Sequence, residues 1–105
     1  MKHLRKFNEE YKQREKINLS HIKDLKSLIH GENYALSGTD YEFVELIQTD
    51  FDGEKGYVDY HVIIKRISDG KYFRGYGDDW GRGEYNVHPN FEEVFPRQIT
   101  KTVYE

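Results

Sequence analysis

The chain has 105 residues with 16 basic and 19 acidic side chains, no cysteine and a formal net charge of −3. This length accommodates one domain, and the absence of cysteine excludes disulfides and thiolate metal sites. No apolar run reaches the length of a membrane span, and the basic N-terminus lacks the apolar stretch of a signal peptide. We therefore expect a soluble, cytoplasmic protein.

The charge is unevenly distributed along the chain. Residues 1–30 carry eight basic and four acidic side chains, a net charge of +4, whereas residues 31–105 carry a net charge of −7. Such asymmetry indicates either a basic arm for a polyanion or an acidic surface for a basic partner. The alternative is that a basic helix packs on an acidic sheet, so that the two charges face each other within one fold.

The hydrophobic spacing of the N-terminal third is typical of helix. Leu4, Phe7 and Tyr11 follow the i, i+3, i+7 spacing of one helical face, and a second apolar face precedes Gly31, a natural helix stop. The apolar stripe of the first helix could also pair two copies of the chain. The spacing predicts helices over residues 3–16 and 20–30, separate or fused into one.

After Gly31 the pattern becomes alternating, as in β-strands. The Asp69–Gly70 pair suits a type I′ hairpin, and closely spaced glycines are expected to interrupt pairing around Trp80. We predict one α+β domain over residues 1–105, with an N-terminal helix or helical pair followed by an antiparallel sheet of about four strands. The predicted strands are Tyr41–Thr49, Tyr57–Ile67, Tyr72–Tyr76 and a last segment over Val94–Tyr104.

The glycine-rich segment 75–85 is the most unusual stretch of the chain. Trp, Tyr and Arg are the side chains most enriched at binding hot spots, and acidic residues here and in the preceding strands would face a basic partner. The alternative is that Trp80 belongs to the core and the glycines only allow the chain to turn. The predicted partner-binding residues are Tyr76, Asp78, Asp79, Trp80, Arg82, Tyr85, Asp50, Asp52, Glu54 and Asp59.

No pattern in the sequence indicates catalysis. The five histidines lack metal-ligand spacing, no nucleophile motif occurs, and we expect neither an enzyme nor a metal or other cofactor. A small hydrolase using His61 beside Asp59 is a minor alternative. A nucleic-acid-binding module is a stronger one, and its phosphate contacts would come from the N-terminal helices. The residues predicted for that role are Arg5, Lys6, Lys12 and Arg14.

Parts of the C-terminal sequence resemble the endings of small phage and prophage proteins of low-GC Gram-positive bacteria. The segments that carry this resemblance are Ile67–Gly75, Trp80, Phe91–Pro96 and Thr100–Glu105. A short, acidic, Tyr-rich chain without cysteine is also similar to phage-encoded anti-CRISPR proteins. The resemblance implies a non-enzymatic inhibitor in the cytoplasm of a bacterial host cell, where it would bind a host protein such as a nucleic-acid-binding defence nuclease. It assigns no functional residues.

Overall fold

The computed structural model describes residues 13–54, 56–98 and 102–105, and these form an almost entirely antiparallel β fold. The prediction of an α+β fold with N-terminal helices and about four strands is therefore wrong. In this part of the chain the elements are β1 (Lys16–Asn18), two short 3₁₀ helices (Leu25–His30 and Tyr34–Leu36), β2 (Tyr41–Asp52), β3 (Tyr57–Arg66), β4 (Tyr72–Gly81), β5 (Glu84–Val87), β6 (Asn90–Val94), β7 (Pro96–Gln98) and β8 (Thr102–Tyr104).

The main sheet is organised around β4. Its strand order is β1-β6-β4-β3-β2, and β4 pairs with β3 along one edge. The other edge of β4 is shared, because residues 72–74 pair with β6 and residues 77–81 pair with β5. After β4 the chain thus turns back and pairs with β4 twice, first as β5 and then as β6. Strands β7 and β8 form a separate hairpin.

In the described part of the N-terminal third, the structure contradicts the predicted helices. Residues 1–12 lie outside the described part, but Ile17 pairs with Phe91 in β1 and β6, so the predicted helix 3–16 does not continue into an α-helical 20–30 segment. Leu19 is fully buried in the core, and this burial requires the extended path that β1 gives the chain. Between residue 13 and Gly31, one short 3₁₀ helix forms. That helix does stop at Gly31, whose backbone φ is 73° and whose N–H donates to the carbonyl of Leu28.

Two glycines inside β4 allow the core to pack directly on the backbone of this strand. A Cβ atom at Gly75 would lie 2.5 Å from the ring of Phe91, and one at Gly77 would lie 2.7 Å from Cδ1 of Ile29. Real Cβ atoms essentially never approach other atoms so closely, so a side chain at Gly75 would displace the Phe91 ring, and one at Gly77 would also clash with the backbone oxygen of Asn86 at 2.9 Å. Gly75 and Gly77 remain paired with β3, whereas the interruption expected around Trp80 is present as a register shift between Asp79 and Gly81 in the pairing with β5.

The turns on either side of β4 also differ from the prediction. Asp69 does not have a positive φ, so the β3–β4 connection is not a type I′ turn, and only Gly70 is left-handed. The two-residue turn lies instead between β4 and β5, where Arg82 and Gly83 both have positive φ values of 56° and 80°. That pair of values is the signature of a type I′ hairpin.

The two faces of the sheet have different surroundings. The inner face is the face that the two 3₁₀ helices cover. The side chains between the sheet and these helices form the hydrophobic core. The outer face is the opposite one. The largest fully buried core side chains on the inner side are Leu19, Leu28, Leu36, Val62, Ile64, Phe73 and Phe91.

The β7–β8 hairpin covers one end of the outer face. The Tyr104 hydroxyl donates to Oε2 of Glu45 on β2 at 2.6 Å, and the Tyr104 ring lies 6.1 Å from that of Tyr72 on β4. Tyr104 therefore crosses β3, which explains why Ile63 on this face is fully buried. Its burial, reinforced by the hydrogen bond to Glu45, raises the pKa of Tyr104. The predicted single segment Val94–Tyr104 is wrong, because it spans the end of β6 and this hairpin.

An ion-pair cluster connects Glu15, just before β1, to the end of β3 and to the β3–β4 connection. The Arg66 guanidinium donates to both carboxylate oxygens of Glu15 at 2.7 Å and to Asp69 at 2.8 Å, and it lies 5.0 Å from the centre of the Phe73 ring. Lys71 adds a contact of 3.3 Å to Glu15. A fork of two parallel hydrogen bonds is the strongest geometry available to an Arg–carboxylate pair. This cluster therefore links residues far apart in sequence.

Acid is expected to destabilise the fold through this cluster. The hydrogen bonds from Arg66 hold the pKa of Glu15 and that of Asp69 at about 2, below their ordinary values of 4.5 and 3.8. A lowered pKa in the folded state stabilises the fold above the ordinary value, and this contribution is lost as the pH falls towards 2. We expect the melting temperature, followed by circular dichroism, to fall between pH 5 and pH 2, and to fall less in Arg66→Gln. An equal acid dependence in Arg66→Gln and in the control Arg74→Gln would contradict this assignment.

Candidate protein-binding face

The end of the outer face away from Tyr104 carries exposed aromatic side chains. Alternation along β4 brings Tyr76 and Trp80 to this face, and alternation along β3 brings Tyr57 and His61 beside them. The rings of Tyr57 and Trp80 stack with centres 4.5 Å apart, and those of His61 and Tyr76 meet edge to face at 5.1 Å. We call these four residues the aromatic platform.

The exposure of the platform decides between the two sequence interpretations of Trp80. Its side chain is 47% exposed and that of Tyr76 is 51% exposed, so neither belongs to the core. Because Trp80 stacks on Tyr57, the orientation of the indole is restrained while one side remains open to a partner. A cavity of about 420 Å³ lies next to it and is lined also by Gly56, Arg82 and Glu84.

Three aspartates form a row between the two aromatic pairs. Asp59 on β3 is in register with Asp50 on β2 and with Asp78 on β4. Residues directly opposite in an antiparallel pair have Cβ atoms about 4.5–5.5 Å apart, and like charges in such positions are destabilising. The strand pairing therefore places three carboxylates in a row between the two ends of the platform. We call Asp50, Asp59 and Asp78 the acidic row.

His61, the residue of the hydrolase alternative, is half-buried on the outer face. Burial, aided by the positive charge of Arg74, lowers the pKa of His61, and its ring packs against Tyr76. Its close ring contact is with an aromatic side chain, as expected of a residue that fills the platform. Among the residues that the structure describes, no group of three or more His, Asp or Glu side chains is arranged to hold a metal ion.

The remaining predicted partner-binding residues do not lie together. Asp79 and Tyr85 are opposite each other on the inner side, where the Tyr85 ring packs 4.3 Å from that of His30. Arg82 is exposed in the β4–β5 turn, beside the cavity at Trp80. Glu54 is exposed in the β2–β3 turn, and the side chain of Asp52 lies outside the described part of the chain. The structure thus brings together Tyr76, Asp78, Trp80, Asp50 and Asp59, and separates Asp79 and Tyr85 from them.

The residues predicted for nucleic-acid binding are mostly outside the described part. This applies to Arg5, Lys6 and Lys12. Arg14 is described, and its guanidinium donates to the backbone carbonyl of Glu93 at 3.3 Å and lies 5.2 Å from the centre of the Phe95 ring. Its position beside β6 shows that Arg14 is not on a helix.

Sequence reasoning missed a second feature of the outer face. A groove of about 510 Å³ lies where β6 diverges from β4, next to the Tyr76 ring. Its polar lining comes from three strands and the β5–β6 connection, so only the strand order could have brought these residues together. The alternation of β4 could nevertheless have placed Arg74 on the same face as Tyr76. The polar side chains that line the groove are Lys16, Arg74, Tyr76, His88, Asn90 and Glu92.

Comparison with known proteins gives no family for this chain. No family model, curated protein or solved structure matches it. The resemblance to phage and anti-CRISPR proteins therefore remains without support. None of the helices in the described part of the chain is both long and apolar enough to cross a membrane.

Proposed function

We propose that this chain is a non-enzymatic protein-binding module that docks through the aromatic platform and the acidic row. The observation that carries the proposal is the exposure of Tyr76 and Trp80 on one face of a well-formed sheet. Exposed single apolar residues are common on protein surfaces, but two large aromatic side chains on the same open sheet face are typical of an interaction site.

The geometry of the platform favours high contact energy per residue. Trp and Tyr are the most frequent hot-spot residues because they bury large areas and lose few rotamers. Here the Tyr57 ring already restrains Trp80, so less conformational entropy would be lost when a partner binds. The cavity beside Trp80 offers room for a side chain of the partner.

The acidic row indicates which charge the proposed partner would carry at this surface. Asp50, Asp59 and Asp78 lie between the aromatic pairs, so a surface that covers both pairs must also cover the carboxylates. A complementary surface would present Lys or Arg at that position, and such complementarity accelerates encounter and rejects acidic partners. We therefore propose a partner with a basic patch, of the kind found on proteins that bind nucleic acid.

Position-specific cross-linking tests this function. A photoreactive phenylalanine analogue would replace Trp80 in one variant and Tyr34 in a control, since Tyr34 is 57% exposed on the second 3₁₀ helix, away from the outer face. In a lysate of the organism that encodes the chain, we expect one dominant adduct from position 80 and none of that mass from position 34. The same adduct from both positions, or none from position 80, would contradict the proposal.

A further inference from the structure

The groove beside Tyr76 has a lining unlike that of the acidic row. Lys16 on β1 and Arg74 on β4 lie on either side of Glu92 in one row across β1, β6 and β4. His88 and the exposed ring of Tyr76 line the groove further along. Its volume of about 510 Å³ lies within the range of small-molecule sites, which is roughly 300–1,000 Å³.

Arg74 is the most informative residue of this groove. Its side chain is half-buried, yet no described carboxylate lies within ion-pair distance of its guanidinium, and none of the hydrogen bonds found among the described residues involves it. Arg66, by contrast, is fully engaged with Glu15 and Asp69. A half-buried arginine whose guanidinium donates to no described protein acceptor favours an anionic ligand, because its planar fork fits the oxygens of a phosphate or carboxylate.

We propose that this groove binds a nucleotide, with the phosphate on Arg74 and Lys16 and the base stacked on Tyr76. Arg selects phosphate through two parallel hydrogen bonds, and Lys16 adds a second positive charge from the opposite wall. The Tyr76 ring lines the groove, is 51% exposed and is restrained by its perpendicular contact with His61, and an exposed, restrained aromatic ring suits base stacking. An anion without a planar group would leave this ring unused.

The charge of the groove limits its affinity for anionic ligands. Glu92 lies between Lys16 and Arg74, so the three side chains together carry a net charge of +1. This lining can offset about one negative charge, which is part of the charge of a terminal phosphate or the whole charge of one phosphodiester, whereas a long polyanion would also meet the nearby acidic row. The proposed ligand is therefore a nucleotide, either free or as one unit of a single strand, and not a nucleic-acid duplex.

Binding of defined nucleotides to the intact chain tests this inference. The probes are AMP and UMP, with adenosine and inorganic phosphate as the separate parts, and an oligouridylate as the strand. Titrations followed by NMR of backbone amides should show shifts at residues 74–76 and 88–92. We expect Arg74→Gln to weaken the binding at least tenfold. The matched control Arg82→Gln, in the β4–β5 turn, should leave it unchanged.

The outcomes separate the possible ligand sources. Binding of AMP or UMP that is lost in Arg74→Gln supports a free nucleotide, and binding of the oligouridylate alone supports a strand. Absence of shifts with every probe at millimolar concentration would overturn the proposal, as would equal losses in Arg74→Gln and Arg82→Gln. Tyr76→Leu provides a second test, since it should weaken nucleotide binding while leaving any binding of inorganic phosphate unchanged.

Discussion

Replacing Trp80 by alanine is expected to weaken binding of the protein partner by more than about tenfold and to leave the fold intact. Truncation of a central hot-spot residue typically costs at least 2 kcal/mol of binding free energy, and Trp80 is a large aromatic side chain that is 47% exposed on the outer face. The stability should change little, because the indole is 47% exposed and stacks on Tyr57 at the surface instead of filling the core.

A matched variant separates this effect from a general loss of exposed aromatic surface. Tyr34→Ala removes a side chain that is 57% exposed but lies on a 3₁₀ helix away from the outer face, so its affinity for the partner should equal that of the original chain. The measurement is the dissociation constant with the cross-linked partner once it is isolated. Equal losses in Trp80→Ala and Tyr34→Ala would contradict the assignment of the docking face.

Introducing alanine at Gly75 is expected to destabilise the fold by about 1–3 kcal/mol, the usual cost of overpacking a core. The added methyl group would lie 2.5 Å from the Phe91 ring, and Phe91 is itself almost fully buried. Valine at the same position should cost more, because its additional methyl groups would enter the same crowded space. The midpoint of urea unfolding gives the free-energy change, and the native circular dichroism spectrum shows whether the sheet persists.

A double variant tests the cause of this loss. If the Phe91 ring is the obstacle, Gly75→Ala combined with Phe91→Leu should be less destabilised than the sum of the two single variants, because the smaller side chain makes room for the methyl group. Strict additivity would show that the clash lies elsewhere. An unchanged unfolding midpoint in Gly75→Ala would contradict the close approach of β6 to β4.

The central strands could be predicted because their sequence pattern is strong. The alternation in β3 predicts Val62 and Ile64 on one face and a partly exposed second face, and both of these side chains are fully buried. The expected exposure of the second face holds for His61 but not for Ile63. The burial of Ile63 depends on Tyr104, some forty residues later in the chain, and no local pattern reports such a contact.

The N-terminal region was mispredicted because its local preference conflicts with its tertiary contacts. The residues around Ile17 and Leu19 offer a mixture of helix-forming side chains, but both apolar groups reach the core only from an extended chain beside β6. A strand of three residues has no periodicity that sequence reasoning can detect. Burial of Leu19 and pairing with Phe91 override the weak helical propensity.

The sequence predicts strand β2 but does not predict which of its side chains lie on each face. Simple alternation in β2 predicts Val44 and Leu46 on one face and Phe43 and Ile47 on the other, but irregularities in pairing at Val44 and Thr49 shift the register. Phe43 and Leu46 consequently pack against the same core. Such irregularities each reverse the alternation that follows, and the sequence of β2 contains no glycine to mark them.

The candidate site was predictable in its residue types and not in its arrangement. Trp80 and Tyr76 were recognised from their chemistry, and the strand pairing then brought the acidic row beside them. Asp79 and Tyr85 were expected in the same surface because they are close in sequence, but β4 and β5 turn both side chains to the inner side. The face on which a side chain lies depends on the bounds and the register of its strand. The glycines of this segment predict a strand that ends early, whereas β4 continues to Gly81.

Fluorescence of Trp80 gives the most direct test of the docking face, because the chain contains a single tryptophan. In the free protein we expect an emission maximum typical of a solvated indole and efficient quenching by acrylamide. Addition of the isolated partner should shift the emission to shorter wavelength and reduce the quenching several-fold, since the indole becomes buried. Quenching that is unchanged in the complex would show that the partner binds elsewhere.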